Sequence, residues 1–269
     1  MADAAIRIEN VEVDYAAGRG AIRRILNGIN LDIAAGEFVS IVGQTGCGKS
    51  TLLRLILGEE APTRGRVLVD GRERSQPDRS CGYVPQKYSL FPDKTALGNV
   101  AFGLPRWGKR KESREEALRY LRHTGLNDAD ASKYPYQLSG GMQQRVAIAQ
   151  ALILHPPILL MDEAFSALDP TTRAEMQSLV RKLWRDTGTT ILFVTHNISE
   201  AIYLGTRVIV LGKKSRETSS RVMFDLEIPD SIRAESGYPR REELERLTKQ
   251  IEDVAMEEKL ELEMAEFGG

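Results

Sequence analysis

The sequence predicts an α/β fold built on a mostly parallel sheet, and three observations carry that prediction. Short apolar runs alternate with amphipathic stretches on either side of a central segment, the pattern of strands joined by crossover helices. A glycine-rich turn separates the apolar FVSIV at 38–42 from TLLRLIL at 51–57. From about residue 95 to 155 strand alternation stops and helical signals replace it, which reads as a helical insertion.

Taken in order, residues 5–42 read as strands, with Ile29, Leu31 and Ile33 alternating with polar partners and Gly43 ending the run at 38–42. The stretch 51–57 is a helix that Gly58 is placed to stop. Strand signals return at Arg66–Val69 and Gly82–Val84. ESREEALRYLRHTGL at 112–126 has the charge pairs and the Leu118/Leu121 spacing of an amphipathic helix. ILLM at 158–161 is continuous and apolar, as a strand covered on both faces should be. Asp169 followed by Pro170 is an N-cap with proline at the first helical position, and Met176, Leu179, Val180, Leu183 and Trp184 then share one face until Gly188. TTILFVTH at 189–196 and RVIVL at 207–211 are further buried strands. Residues 240–269 carry ten acidic against five basic side chains, and Leu244, Leu247, Ile251 and Val254 fall at helical spacing. The expected organisation is a main domain over 1–239, with its helical part at about 90–155, and an acidic amphipathic helical extension over 240–269.

A charged fraction of 28% beside 42% hydrophobic residues is globular composition and excludes wholesale disorder, collagen or fibre. A net charge of −1 argues against nucleic-acid binding by bulk electrostatics. Cys47 and Cys81 are too few for a disulfide framework or a zinc cage. The longest apolar run, 151–161, is broken by His155, Pro156 and Pro157, and MADAAIRIENVEVD lacks the basic and apolar segments of a signal peptide. A cytoplasmic protein is expected.

Three segments carry chemistry. GQTGCGKS, Gly43 to Ser50, lies between a strand and a helix. Its glycines let backbone amides wrap a polyphosphate, Lys49 brings a cation to the terminal phosphates, and the Ser50 hydroxyl is a Mg²⁺ ligand at a positive helix end. ILLMDE at 158–163 puts Asp162 at a buried strand end, where a carboxylate holds Mg²⁺, with Glu163 beyond it able to polarise a water. In LSGGMQQR, Leu138 to Arg145, Ser139 reads as an N-cap followed by Gly140 and Gly141 in the first turn, an unfavourable pairing for a helix unless its open N-terminus binds an anion; a plain loop is the alternative. Cys47 stands at a helix start that can activate a thiol, or simply fills space there.

The order of these segments, with Tyr83-Val84-Pro85-Gln86, Ser166-Ala167-Leu168-Asp169 and Thr195-His196, resembles the ATP-binding-cassette (ABC) ATPase family over roughly residues 5–212. The signature LSGGMQQR is far more specific than the P-loop. The resemblance implies a P-loop NTPase core with an antiparallel β subdomain and a helical subdomain, binding ATP with Mg²⁺. It implies that Gly43, Gln44, Thr45, Gly46, Cys47, Gly48, Lys49, Ser50 and Thr51 hold nucleotide, with Tyr15 stacked on adenine. Gln86 looks like the Q-loop ligand of Mg²⁺ and water, Glu163 the catalytic glutamate and His196 the switch histidine at the γ-phosphate; Ser50, Gln86 and Asp162 are the implied metal ligands. Ser139, Gly140, Gly141, Gln143 and Asp169 then act on nucleotide held by a second copy, in a head-to-tail homodimer. Ala164 and Asn197 depart from the commoner proline and acid, but neither departure removes a catalytic group.

The same resemblance implies a peripheral subunit on the inner face of the cell membrane, beneath two permease subunits, with a solute-binding protein if the system imports. Tyr88, Leu90, Phe91, Phe102, Leu104 and Trp107 follow Gln86; they either tuck into the core or, as the resemblance implies, form a groove that receives a short helix of a membrane partner. LFPDKTALGNVAFGL and VTHNISEAIYLGTRVIVL look most like the nitrate, sulfonate, taurine and bicarbonate importers. An exporter or lipid-trafficking ATPase is not separated from these by motif alone. A DNA-repair ATPase would need a long coiled coil between Ser50 and Leu138, a translation factor two cassettes, and neither is present.

Overall fold

The computed structural model describes residues 4–18, 21–87, 90–104, 110–213, 217–229 and 244–253. In chain order the elements are β1 (Ala4–Ala16), β2 (Ile22–Ala34), β3 (Phe38–Val42), α1 (Lys49–Leu57), β4 (Arg64–Val69), β5 (Arg72–Glu73), β6 (Cys81–Val84), α2 (Ala96–Ala101) and α3 (Arg110–His123). There follow α4 (Asp128–Ala131), a 3₁₀ turn (Pro135–Gln137), α5 (Gly140–Leu152), β7 (Ile158–Asp162), α6 (Pro170–Thr187), β8 (Thr190–Val194), α7 (Ile198–Leu204), β9 (Arg207–Lys213) and β10 (Ser220–Glu227). A last helix, α8, spans 244–253. Contacts divide the chain into two units, Met1–Asp78 with Thr190–Gly269, and Arg79–Thr189.

In the first unit the strands run in the order β5-β4-β1-β2-β10-β9-β3-β8. The two halves of this sheet follow different sequence rules. β3 and β8 are buried at every position, so they are continuous apolar runs, and β3 pairs in parallel with both β8 (Ile41 opposite Val194) and β9 (Ile41 opposite Ile209). β1 and β2 are antiparallel, and in β2 buried Ile29, Leu31 and Ile33 alternate with exposed Asn30 and Asp32. β4 and β5 form a hairpin closed by Asp70 and Gly71, both at positive φ (49° and 72°), the primed turn whose twist suits flanking strands. Arg207 joins β9 to its neighbours, donating to both carboxylate oxygens of Asp225 at 2.6 Å and to the Asp32 carbonyl at 2.8 Å. The Asp225 hydrogen bond raises its pKa above the usual guanidinium range.

In the second unit β6 and β7 pair in parallel, Val84 opposite Met161. Helices α2 to α5 enclose a core of Val100, Ala117, Leu121, Val146, Ala149 and Ile153. Leu121 is buried in α3 and Leu118 packs against the core from the same face, the two positions the spacing singled out. Asn99 is fully buried in α2 and spends its amide on the preceding turn, accepting from the Phe91 N–H at 2.7 Å and donating to the carbonyls of Phe91, Lys94 and Thr95. That turn holds Phe91 against Phe102, ring centroids 4.4 Å apart, with the Lys94 ammonium over both rings. Tyr88 and Trp107 lie outside the described residues, as do Val254 and the chain beyond it.

Candidate nucleotide site

The phosphate-loop sequence begins where β3 ends. A β-carbon on Gly43 would sit 2.1 Å from the Leu211 carbonyl oxygen of β9, so only glycine lets the chain leave the sheet there. The loop enters α1 through Gly48 in the left-handed region (φ 98°), and no side chain caps the first turn. Gln44, Thr45 and Gly46 are exposed at the loop's mouth, Cys47 and Thr51 are buried, and Ser50 is exposed on the first turn. Lys49 is only 5% exposed and its ammonium donates to the carbonyls of Gly43 (2.8 Å) and Gln44 (3.0 Å). A buried cation is tolerable because the loop's own carbonyl oxygens accept its hydrogen bonds, and this folds the lysine back over the loop it springs from.

Tyr15 lies half-buried at the far end of β1, its hydroxyl accepting from Arg54 of α1 at 3.3 Å. Burial, and then the Glu60 carboxylate, raise its pKa above that of a free phenol. The structure thus brings Tyr15 to the phosphate-loop helix.

His196 follows the end of β8, the strand beside β3, and is exposed. The residues around it form a closed hydrogen-bond ring. The Asn197 N–H donates to Thr195 Oγ1 (3.1 Å), Thr195 Oγ1 donates to Glu200 Oε2 (2.5 Å), and the Glu200 N–H donates to Asn197 Oδ1 (3.0 Å). Thr195 also donates its N–H to the Ile41 carbonyl of β3. Asn197 is therefore the N-cap of α7, a position that asparagine and aspartate fill equally well. The sequence reading did not identify Thr195 and Glu200 as the supports of His196; a cap followed three residues on by glutamate, Asn197-Ile198-Ser199-Glu200, was the available signal.

In the second unit Asp162 is buried at the end of β7. Glu163 follows with φ 43°, a left-handed conformation that non-glycine residues hold only where the surroundings impose it. Its Oε2 accepts from Gln86 Nε2 at 2.9 Å. The sheet register explains the meeting. Val84 is opposite Met161, so Gln86 and Glu163 each leave their strand two residues later and at the same level.

LSGGMQQR becomes the start of α5. Ser139 Oγ accepts from the Met142 N–H at 3.3 Å as the N-cap. A β-carbon on Gly141 would meet Thr172 Cγ2 of α6 at 2.4 Å, so this glycine admits a neighbouring helix as well as leaving a helix end uncluttered. Thr172 is a residue that the sequence reading missed. Its N–H, with that of Thr171, donates to Asp169 Oδ1 at 3.1 Å, so Asp169 caps α6 as expected. The Thr172 hydrogen bonds, followed by that from Thr171, hold the Asp169 carboxyl below the usual carboxylate range. Gln143, implied as a nucleotide contact, is engaged within its own chain. Its amide donates to the carbonyls of Pro135 and Leu138 and ties α5 to the preceding turn. Gln144 beside it is fully buried, and neither end of its amide finds a partner among the described residues.

The residues proposed for Mg²⁺ fit a small hard cation. The Ser50 hydroxyl and the Asp162 carboxylate are oxygen donors, and since Glu163 takes the nitrogen end of Gln86, the oxygen end is the one a cation would use. Among the described residues no helix is long and apolar enough to cross a membrane.

Residues 26–166 match the family described as "ABC transporter". The taurine import ATP-binding protein of Rhizobium johnstonii is 44% identical over 236 residues, 87% of this chain and 88% of its own. The nitrate import ATP-binding protein of Synechocystis sp. is 43% identical over 230 residues, covering 83% and 85%. Among solved structures, a dimeric ATP-binding cassette in a post-hydrolysis state with ADP and inorganic phosphate superposes with a TM-score of 0.72 at 36% identity, over 83% of this chain and 99% of that one. The chain belongs to the ABC transporter family. It is an ATP-binding subunit of that family, an ATPase that works on ATP with Mg²⁺.

Proposed function

We propose that this subunit converts ATP hydrolysis into import of a small solute of the taurine, sulfonate or nitrate kind, with roles divided between the two units. The observation that carries the reading is the Gln86–Glu163 hydrogen bond at 2.9 Å. It ties the residue suited to orient water to the start of the loop that leads into the α2–α5 helices, which is the linkage a transport ATPase needs.

Lys49 and the amides of residues 43–51 bind and orient the phosphates, Tyr15 takes the adenine face, and His196 donates to the γ-phosphate. Ser50, Gln86 and Asp162 would hold a magnesium ion, which would supply charge neutralisation on the phosphates. Glu163 accepts the proton of the attacking water. Ser139, Gly140, Gly141 and Gln143, with Asp169, close on nucleotide held by a second copy, so the working form is a homodimer. Gln143 contributes by fixing the entry to α5, the role its two carbonyl bonds support.

The dimer sits on the inner face of the cell membrane beneath two permease subunits. The docking surface is a groove of about 1050 Å³ in the helical part, lined by Leu97, Ala101, Phe102 and Leu104, with Lys94 and Arg114 among its cations. A permease segment that presents a short amphipathic helix fits it, and a solute-binding protein delivers the solute. In domain terms residues 1–239 are the ATPase, with a helical subdomain over about 90–155, and 240–269 an extension.

Glu163→Gln is the test. The change keeps the Gln86 neighbour while removing the base, so ATP turnover falls by about 10²–10⁴. Incubation with MgATP should then trap a nucleotide-bound twofold assembly, read by size-exclusion chromatography with light scattering. A variant that still hydrolyses ATP as a monomer at the unaltered rate overturns the reading.

A further inference from the structure

The nucleotide reading gives no work to α8, yet this helix is not a solvated appendage. Ile251 is fully buried, and Leu244 and Leu247 pack on the same hydrophobic cluster. That cluster contains Ala201 and Ile202 of α7, with Ile198 packed against it, together with Val42 of β3, Val208 and Val210 of β9, and Ile228. Two of these elements border the chemistry directly. Val42 immediately precedes the phosphate loop, and α7 begins two residues after His196.

α7 is thus held from two sides. At its N-terminus the Thr195–Glu200–Asn197 ring fixes the backbone on either side of His196. Along its apolar face it is packed in the cluster that Ile251 completes. α7 is only seven residues long, too short to be stable by its own propensity, so its position depends on these tertiary contacts. A helix that carries a switch residue at its start and owes its placement to a segment near the other end of the chain is adjustable from that segment.

We propose that α8 braces the switch segment, and that Ile251 is a positioning residue for His196, acting through α7. The inference rests on the reading that His196 meets the γ-phosphate. It gives the C-terminal helix a specific task, to hold the histidine at the height of the phosphate loop, so that a partner or modification that lifts α8 would slow turnover without touching the nucleotide.

The test compares His196→Ala, Ile251→Asp, Ile251→Leu, a chain lacking residues 240–269, and Ile33→Ala in β2 as a core change remote from α7. Steady-state ATPase constants are measured beside hydrogen exchange of residues 198–204 and 49–57. Ile251→Asp and the truncation should each lower kcat about tenfold, as for a misplaced and not a missing group. KM for ATP should stay within about twofold, since the phosphate loop keeps its own carbonyl–lysine lock. Exchange in 198–204 should rise while 49–57 is unchanged, and Ile251→Leu should restore both readouts. Ile33→Ala should lower Tm without splitting kcat from KM. If His196→Ala leaves kcat intact, the nucleotide reading of the histidine fails and the brace has nothing to position. If His196→Ala abolishes turnover but both α8 variants keep kcat within twofold, the brace alone is overturned. It is equally overturned if kcat and KM fall together in proportion to Tm, as Ile33→Ala would then reproduce.

Discussion

The helix starts of α1 and α5 carry the same kind of sequence, small and glycine-rich, and they are built in opposite ways. α1 has no side-chain cap and its first residue is a buried lysine folded back over the loop. α5 has Ser139 as a cap, with its Oγ already engaged by the Met142 amide, and its second residue is pressed by α6. In α1 no side chain caps the first turn, which leaves its amides to the phosphate proposed above. In α5 part of that capacity is satisfied internally, and Gly141 is required by a neighbouring threonine. Glycine at a helix start is therefore not one signal but two, and only the packing on the far side of the residue separates them.

The comparison can be broken most sharply at α1. Lys49→Ala removes the charge that the uncapped start depends on, and ATP turnover should fall by at least about 10²–10³, with loss of nucleotide binding in a fluorescence titration. Retained binding would mean that the amides alone suffice. The next effect is expected at α5. Gly141→Ala forces a methyl against Thr172 Cγ2 and should destabilise by about 1–3 kcal/mol. Thr172→Ser removes that methyl but keeps the Asp169 cap, so the double variant should recover Tm while the glycine-only reading expects no recovery. Ser139→Ala should cost about 1 kcal/mol in denaturant unfolding, the size of a lost N-cap.

The smallest effect is at α4, a helix start with a complete capping box formed by Asn127 and Asp130 and no ligand to serve. The Lys133 hydrogen bond, helped by the Asn127 amide, holds the Asp130 carboxyl below the usual range. A depressed folded-state pKa contributes stability that is complete above the unfolded value, about 4, and is lost as pH falls below it. Asp130→Asn should flatten the acid limb of a pH–stability curve below about pH 4 and leave neutral-pH turnover unchanged. A slope that persists would assign the acid sensitivity elsewhere.

The parts of the fold that were legible in the sequence are those where one physical rule acts alone. β3, β7 and β8 are buried at all five positions, so continuous apolar runs identified them. Asp169-Pro170 gave the start of α6, and Gly58 and Gly188 give the left-handed ends of α1 and α6. β10 escaped because its SRVMFDLE is half-exposed along most of its length and shows neither continuous burial nor clean alternation. The β4–β5 hairpin was missed although Asp70-Gly71 is the turn signal it requires. For the candidate site, residue types and their order nominate the participants, but three facts depend on distance. Gln86 and Glu163 meet through the β6–β7 register, Thr172 reaches Gly141 through helix packing, and Gln143 turns back to Pro135 and Leu138. Spacing along one strand or helix cannot report what the neighbouring element brings.

The position of β3 has a consequence for how this polypeptide is made. The strand that launches the phosphate loop is flanked by β8 and β9, and its partners at Ile41 are Val194 and Ile209. A ribosome that has released the first fifty residues has therefore emitted the loop but neither wall that shapes it. Pairings of such wide separation close slowly and leave apolar edges uncovered meanwhile. The loop acquires both of its walls only after Ile209 has been made, more than 150 residues later.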